Sequence, residues 1–262
     1  MGVQTKISLI EVRALFPAFT INKLVPTANG VMDTTYILDD FVLKKYEREI
    51  EAKIETDTQR LEFFKKNGLH VTHLVASNQG WYLYEKLQGK LPHTTTYFHI
   101  QALARFVAKL HQLSAQEKTP FLQEYDVAML LKKTKKQFFY YYKQLDSLHI
   151  YQQKCEGFIH GDIFKDNTLF DGEKIAVFDF IDGGCGEFSF DCAVALMAFN
   201  PKNKPSLEKL FMQTYNQHAP RKLKAQTLQT QIKLARKIYA LLRIEKYGNV
   251  FGAKELLTNL KK

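Results

Sequence analysis

The sequence predicts an α+β chain of two lobes: a small N-terminal antiparallel sheet lobe, residues 1–89, and a larger, mainly helical C-terminal lobe, residues 90–262. Three observations point there. Between Leu24 and Gly89, short apolar runs alternate with turn residues and are interrupted by one stretch of helical period. Beyond Gly89, apolar residues recur at helical spacing through several long segments. Between these two patterns of burial, a length of 262 residues with 45% hydrophobic content suits two lobes around a cleft, each with its own core.

Taken in order, residues 7–17 read as a short helix: Ser8 can cap it, Leu9, Val12, Leu15 and Phe16 form an apolar stripe, and Pro17 ends it. Leu24 and Val25 lead into the loop Thr27–Thr35, followed by strands Tyr36–Leu38 and Phe41–Tyr46 around the turn Asp39-Asp40. The loop carries Gly30, Thr34 and Thr35, small or hydroxyl-bearing residues of the kind that lets backbone N–H groups approach phosphate oxygens. An ordinary hairpin turn would read the same way. Helical spacing returns from Arg48 to Lys66, with Ile50, Ile54, Leu61 and Phe64 turned inward and Gly68 as the stop. Val71–Ala76 and Trp81–Glu85 are two more strands, joined at Ser77–Gly80.

The second lobe opens with the helix Phe98–Leu113, whose Ile100, Leu103, Phe106, Val107 and Leu110 share a face. Tyr125 to Tyr151 is a helical stretch rich in Lys and Tyr. Aromatics among lysines can stack nucleic-acid bases, but one buried and one wet helix face explains the same pattern. A helix from Asp191 to Phe199, a loop over 200–205, and helices near 206–217, 222–247 and 252–261 complete the chain.

The chemistry is concentrated between Gly157 and Asp191. Phe158 and Ile159 deliver His160, Gly161 and Asp162; Asn167 follows five residues after Asp162, and the apolar run Ile175–Phe178 presents Asp179. Phosphoryl transfer asks a protein for a group that orients and deprotonates the attacking hydroxyl, and for metal ions that neutralise the phosphate oxygens. Asp162 suits the first task. Asn167 and Asp179 suit the second, as oxygen ligands for Mg²⁺. Singly, an Asp or Asn in a turn usually braces its own backbone; it is the set, in this order and spacing, that carries the reading.

Residues 160–167, HGDIFKDN, followed by VFDF at 177–180, resemble the catalytic and metal-binding loops of the aminoglycoside phosphotransferase and choline kinase superfamily, which includes the non-GHMP homoserine kinases. The resemblance implies a bilobal protein-kinase-like fold, ATP and Mg²⁺ as cofactors, and transfer of the γ-phosphoryl group to a hydroxyl of a small amine-containing metabolite. Homoserine, choline or ethanolamine, and an aminoglycoside are the acceptors it suggests, with the length and the tyrosine-containing C-terminal helices leaning towards homoserine.

It implies site roles as well. Lys44, on the strand Val42-Leu43-Lys44, would contact the α- and β-phosphates, its neighbour Lys45 pointing to the opposite face. An acid on the Arg48–Lys66 helix would pair with Lys44; Glu51, Glu55 and Asp57 are candidates, Glu55 the first choice. The hinge Tyr84–Gly89 would meet adenine through its backbone. His160 would pack the catalytic loop, Asp191, followed by Cys192 and Ala193, would brace it, and His111 would be structural. Asp182 would meet an acceptor amine or else brace the turn Gly183-Gly184-Cys185-Gly186. Two departures stand out: the phosphate loop is poor in glycine, and Lys165 stands where the family often has Pro.

Other classes fit less well. Gly161 stands where protein kinases usually carry Arg, and neither an Ala-Pro-Glu segment nor a long insertion follows Asp179, which argues against a protein Ser/Thr kinase. A nucleotide-binding module without turnover would have no chemical need for Asp162. No G-x-x-x-x-G-K-[ST] occurs, which excludes a phosphate-loop NTPase.

The formal charge is +10 and the pI about 9.3, but the lysines are scattered and no block of like charge exceeds Lys132–Lys136. A solvated surface is expected, with no nucleic-acid partner. Cys155, Cys185 and Cys192 form no C-x-x-C pair and read as reduced thiols. The first residues lack a signal peptide, Lys6 occupies the position where myristoylation wants Ser or Thr, and no apolar stretch approaches a membrane span. A soluble, cytoplasmic protein is the expectation.

Overall fold

The structure is a computed structural model that describes residues 3–27, 33–114, 121, 127–150, 154–248 and 250–258. The chain divides into two compact units, Met1–Gly89 with Ala176–Ile181, and Lys90–Ile175 with Asp182–Lys262.

In the first unit, α1 (Leu9–Leu15) begins at Ser8, which forms a capping box with Glu11. The strands β1 (Val25–Pro26), β2 (Thr34–Ile37) and β3 (Phe41–Lys45) precede α2 (Glu51–Lys66), and β4 (Leu74–Asn78) and β5 (Trp81–Glu85) follow it. They make one antiparallel sheet of five strands in the order β1-β2-β3-β5-β4. Val12 and Phe16 pack with Tyr36, Leu43, Trp81 and Leu83 in one core cluster. Strand alternation therefore sends Leu43 and Lys45 to the face that carries Trp81, and Lys44 to the other. Gln79 and Gly80, both at positive φ, make the two-residue turn from β4 to β5.

The helix α2 ends as its sequence indicates. Gly68 is left-handed at φ 82°, its N–H bonds the Lys65 carbonyl, and the Leu69 N–H bonds the Phe64 carbonyl, a Schellman ending. The face it buries consists of Ile54, Asp57, Leu61 and Phe64. Ala176–Ile181, which chain order alone assigns to the larger lobe, packs here. Val177 bridges Val71 and donates its N–H to the His70 carbonyl, Phe180 meets Phe64 at 5.9 Å between ring centroids, and Ile181 packs on Ile50 and Ile54.

In the second unit, α3 (Tyr97–Leu113) starts at a Thr96/His99 capping box. The expected helix over 125–151 is, among its described residues, three pieces: α4 (Val127–Gln137), α5 (Phe139–Leu145) and a 3₁₀ turn, Asp146–Ile150. Phe138 breaks it by leaving helical dihedrals at φ −139°, ψ 58°. The rings of Phe139 and Tyr140 lie exposed, Lys143 covering the former at 4.9 Å. Next come β6 (Gly157–Ile159), β7 (Thr168–Asp171), β8 (Lys174–Val177), whose last two residues count with the first unit, and β9 (Gly184–Gly186); β6 pairs antiparallel with β9, and β7 is hydrogen-bonded to β8. The helix α6 (Phe188–Phe199) is buried on nearly every side, as an almost wholly apolar helix must be. It packs on α3 and on α8 (Ala225–Tyr247), while α7 (Pro205–His218) packs on α3 and α9 (Val250–Thr258) on α8. Among the described residues no helix is long and apolar enough to cross a membrane.

The cysteines correct one expectation. Cys155 and Cys185 are joined in a disulfide, their Cα atoms 5.1 Å apart, and only Cys192 is a free thiol. The β6–β9 pairing brings the two segments together, with Phe158 opposite Cys185, and a bend at Glu156, whose N–H bonds the Gly186 carbonyl, lets Cys155 reach Cys185 from the residues just before β6. Nothing in a separation of 30 residues announces that pairing. Alkylation of the unfolded, unreduced protein should therefore label one cysteine. Reduction should cost about 3–4 kcal/mol by the chain-entropy account, read as a lower Tm with reductant.

Candidate active site

Lys44 stands on the face of β3 opposite Leu43, Lys45 and Trp81. Its Nζ lies 2.7 Å from Oδ1 of Asp179. Burial opposes the ammonium charge, but the Asp179 carboxylate and its hydrogen bond outweigh that, so the pKa of Lys44 is raised. Asp179 itself is left-handed, φ 69°. Such a conformation costs of order 1–3 kcal/mol at a non-glycine residue and persists only where neighbours hold it. Here Val177 on one side and Phe180 on the other are both anchored.

Two expected contacts are corrected. Glu55 is exposed, and the carboxylate on Lys44 is that of Asp179. Glu55 stands one residue, about 100° of helix, from the buried position Ile54, so it misses the inner face. Asp57, three residues after Ile54, is on it, 3.0 Å from Arg60. Thr34 is fully buried, and its hydroxyl accepts the N–H groups of Gln4 and Thr5 while donating to Glu47 at 2.6 Å. Its hydroxyl is committed to the N-terminal segment and to Glu47. Gly30 lies outside the described residues.

Of the three acids expected as candidates, Asp57 is the one on the buried face of α2, in line with the helical stripe Ile54, Leu61, Phe64. Burial pushes its pKa to about 6; Arg60 pulls it down, Asp179 pushes it further up, and Lys44 again pulls down. An acid whose folded pKa is raised contributes stability below its unfolded pKa, near 4, and loses it as pH rises through about 6. Asp57→Asn should therefore gain up to about 2–3 kcal/mol on wild type between pH 4 and pH 7, checked by comparing Tm against pH for the two proteins.

In the second unit, β6 ends at Ile159 and the chain turns through His160, Gly161 and Asp162. Gly161 has φ 72°, and a Cβ there would lie 2.1 Å from the Phe121 ring, so conformation and space both require glycine. Asp191, in the first turn of α6 and fully buried, takes the N–H of Gly161 at 2.7 Å and of His160 at 3.2 Å. His111 Nε2 is 3.1 Å from the same carboxylate, and His111 Nδ1 is 2.8 Å from the Tyr215 hydroxyl. Burial works against the Asp191 charge, but His111, His160 and the Gly161 amide together hold its pKa below the usual carboxylate range.

His160 Nδ1 accepts the N–H of Asp162 at 3.1 Å, so this histidine packs and braces. Asn167 donates Nδ2 to both the backbone carbonyl and Oδ2 of Asp162, each at 2.9 Å. Asp182 is half-buried in the turn before Gly183, where a Cβ would come within 2.3 Å of Phe158. Among the described residues no cluster of three His, Cys, Asp or Glu side chains offers a metal site built from protein alone. Tyr239 of α8, which no sequence motif marks, donates its hydroxyl to the Gly161 carbonyl.

Residues 23–225 match the model of a family described as "Phosphotransferase enzyme family". The homoserine kinase of Polaromonas naphthalenivorans (strain CJ2) is 23% identical over 233 residues, covering 75% of this chain and 72% of its own length. Among solved structures, amicoumacin kinase hAmiN in complex with AMP-PNP, Ca²⁺ and Ami is similar at a TM-score of 0.69 and 17% identity, with 96% and 92% of the two chains covered. Choline kinase LicA from Streptococcus pneumoniae is similar at 0.68 and 13%, with 96% and 98% covered. At these identities the structural likeness speaks for the fold, which is protein-kinase-like.

Proposed function

The chain belongs to the phosphotransferase enzyme family, and from that premise we propose that it transfers the γ-phosphoryl group of ATP to a hydroxyl of a small, amine-bearing metabolite. The observation that carries the reading is the Asn167 amide locked onto Asp162. It restrains the Asp162 carboxylate, which supports its use as a base, and leaves the amide oxygen of Asn167 on the other side of the amide. Asp162 accepts the proton of the attacking hydroxyl and orients that oxygen. Lys44 meets the phosphates on leaving Asp179. Asn167 and Asp179 are the residues that would hold Mg²⁺ by oxygen atoms, completed by nucleotide oxygens and water. When bound, the ion neutralises charge on the phosphate oxygens. In this reading residues 1–89 with 176–181 hold the nucleotide and the remainder carries the base and the acceptor, with Asp182 a candidate for its amine.

Homoserine is the first acceptor to try, since the curated relative is a homoserine kinase; choline, ethanolamine and aminoglycosides complete the panel. The test is Mg²⁺-dependent ADP release with each compound, with Asp162→Asn as control. Turnover stimulated by one acceptor and lost in the control supports the reading and names the acceptor. Equal ADP release from both proteins would sink it.

A further inference from the structure

We propose that Tyr239 is a positioning residue for Asp162, fixing the peptide unit on which that carboxylate is mounted; the kinetic part of this rests on Asp162 being the base. Tyr239 is half-buried on α8. Its hydroxyl donates to the Gly161 carbonyl, and its ring meets Phe164 edge-on with centroids 5.2 Å apart. One side chain thus grips the loop on both sides of Asp162.

The Gly161 carbonyl and the Asp162 N–H belong to a single planar peptide unit. The N–H end is held by His160 Nδ1 and the carbonyl end by Tyr239. A flat unit held at both polar ends cannot turn about its flanking dihedrals without breaking one of the bonds. The restraint falls where it is most needed, because Gly161 is the residue whose backbone is least restricted by its own sterics. Beyond Asp162, Asn167 holds the next carbonyl. With the Tyr239 hydroxyl gone, the Gly161 carbonyl can swing and carry the Asp162 side chain with it. A misplacement of about 1 Å at a reacting group can cost about 10²-fold in rate.

The competing account is that Tyr239 only packs against Phe164. Tyr239→Phe keeps the ring and removes the O–H; Tyr239→Leu removes both. A positioning role predicts that the Phe variant loses about tenfold in kcat, with KM for ATP and Tm nearly unchanged. Amide hydrogen exchange over residues 160–164 of the nucleotide-free Phe variant should also be several-fold faster than in wild type. Unchanged exchange and unchanged kcat in the Phe variant, with a lower Tm only for Leu, would overturn the proposal in favour of packing. Wild-type protein without acceptor-dependent turnover would fault the reading of Asp162 instead, and the exchange comparison would then decide the contact by itself.

Discussion

Asp162→Asn should lower acceptor-dependent turnover by about 10²–10⁴-fold, the usual reach of a general base, while leaving ATP affinity and Tm close to wild type. The substitution is nearly isosteric, and an asparagine oxygen at 162 can still accept the Asn167 Nδ2 that now reaches Oδ2. The loop therefore keeps its shape and loses its base. Steady-state kinetics beside a nucleotide titration separate the two effects. A variant that has also lost ATP binding would mean that Asp162 is a structural carboxylate.

Asp191→Ala should have the larger effect on stability, about 3–5 kcal/mol, because it removes one partner from a buried charge network and strands the others. The stranded groups are identifiable: the N–H groups of His160 and Gly161 and the Nε2 of His111, all ending on that carboxylate. Thermal melts would read it as a fall of roughly 10 °C. Asp191→Asn should fall between, since its one oxygen can serve only part of the set. The pH dependence follows from the sign of the shift. With a folded pKa below the ordinary value, Asp191 stabilises the protein at every pH above about 4 and loses that contribution only on stronger acidification. Above pH 5 the deficit of the Ala variant should therefore show no trend that traces to this carboxylate.

What could be read in the sequence divides along a physical line. Local signals were legible: Ser8 starts α1, Gly68 stops α2, and the apolar runs around Leu43 and Leu83 are strands. The spacing of Asp162 and Asn167 was also legible, because a five-residue turn can close a side chain onto its own loop. Contacts set by register or by packing between distant elements were not. Thr34 looks like a phosphate-loop hydroxyl until the N-terminal segment is found bonded to it, some 30 residues away. Cys155 and Cys185 become neighbours only through the β6–β9 pairing. Tyr239 meets Gly161 across 78 residues. Glu55 and Asp57 are a different case. The helical period alone puts Asp57 on the buried face of α2 and Glu55 off it.

The Cys155–Cys185 bond has a topological consequence. It closes a covalent ring of chain that encloses Asp162, Asn167, Asp179 and Asp182 together. A single backbone cut inside the ring, for instance by trypsin after the exposed Lys174, leaves the two fragments tied to each other. Limited digestion would then give full-length mobility on a non-reducing gel and two bands after reduction, while the same cut outside the ring, after Lys209, releases its fragment in either case.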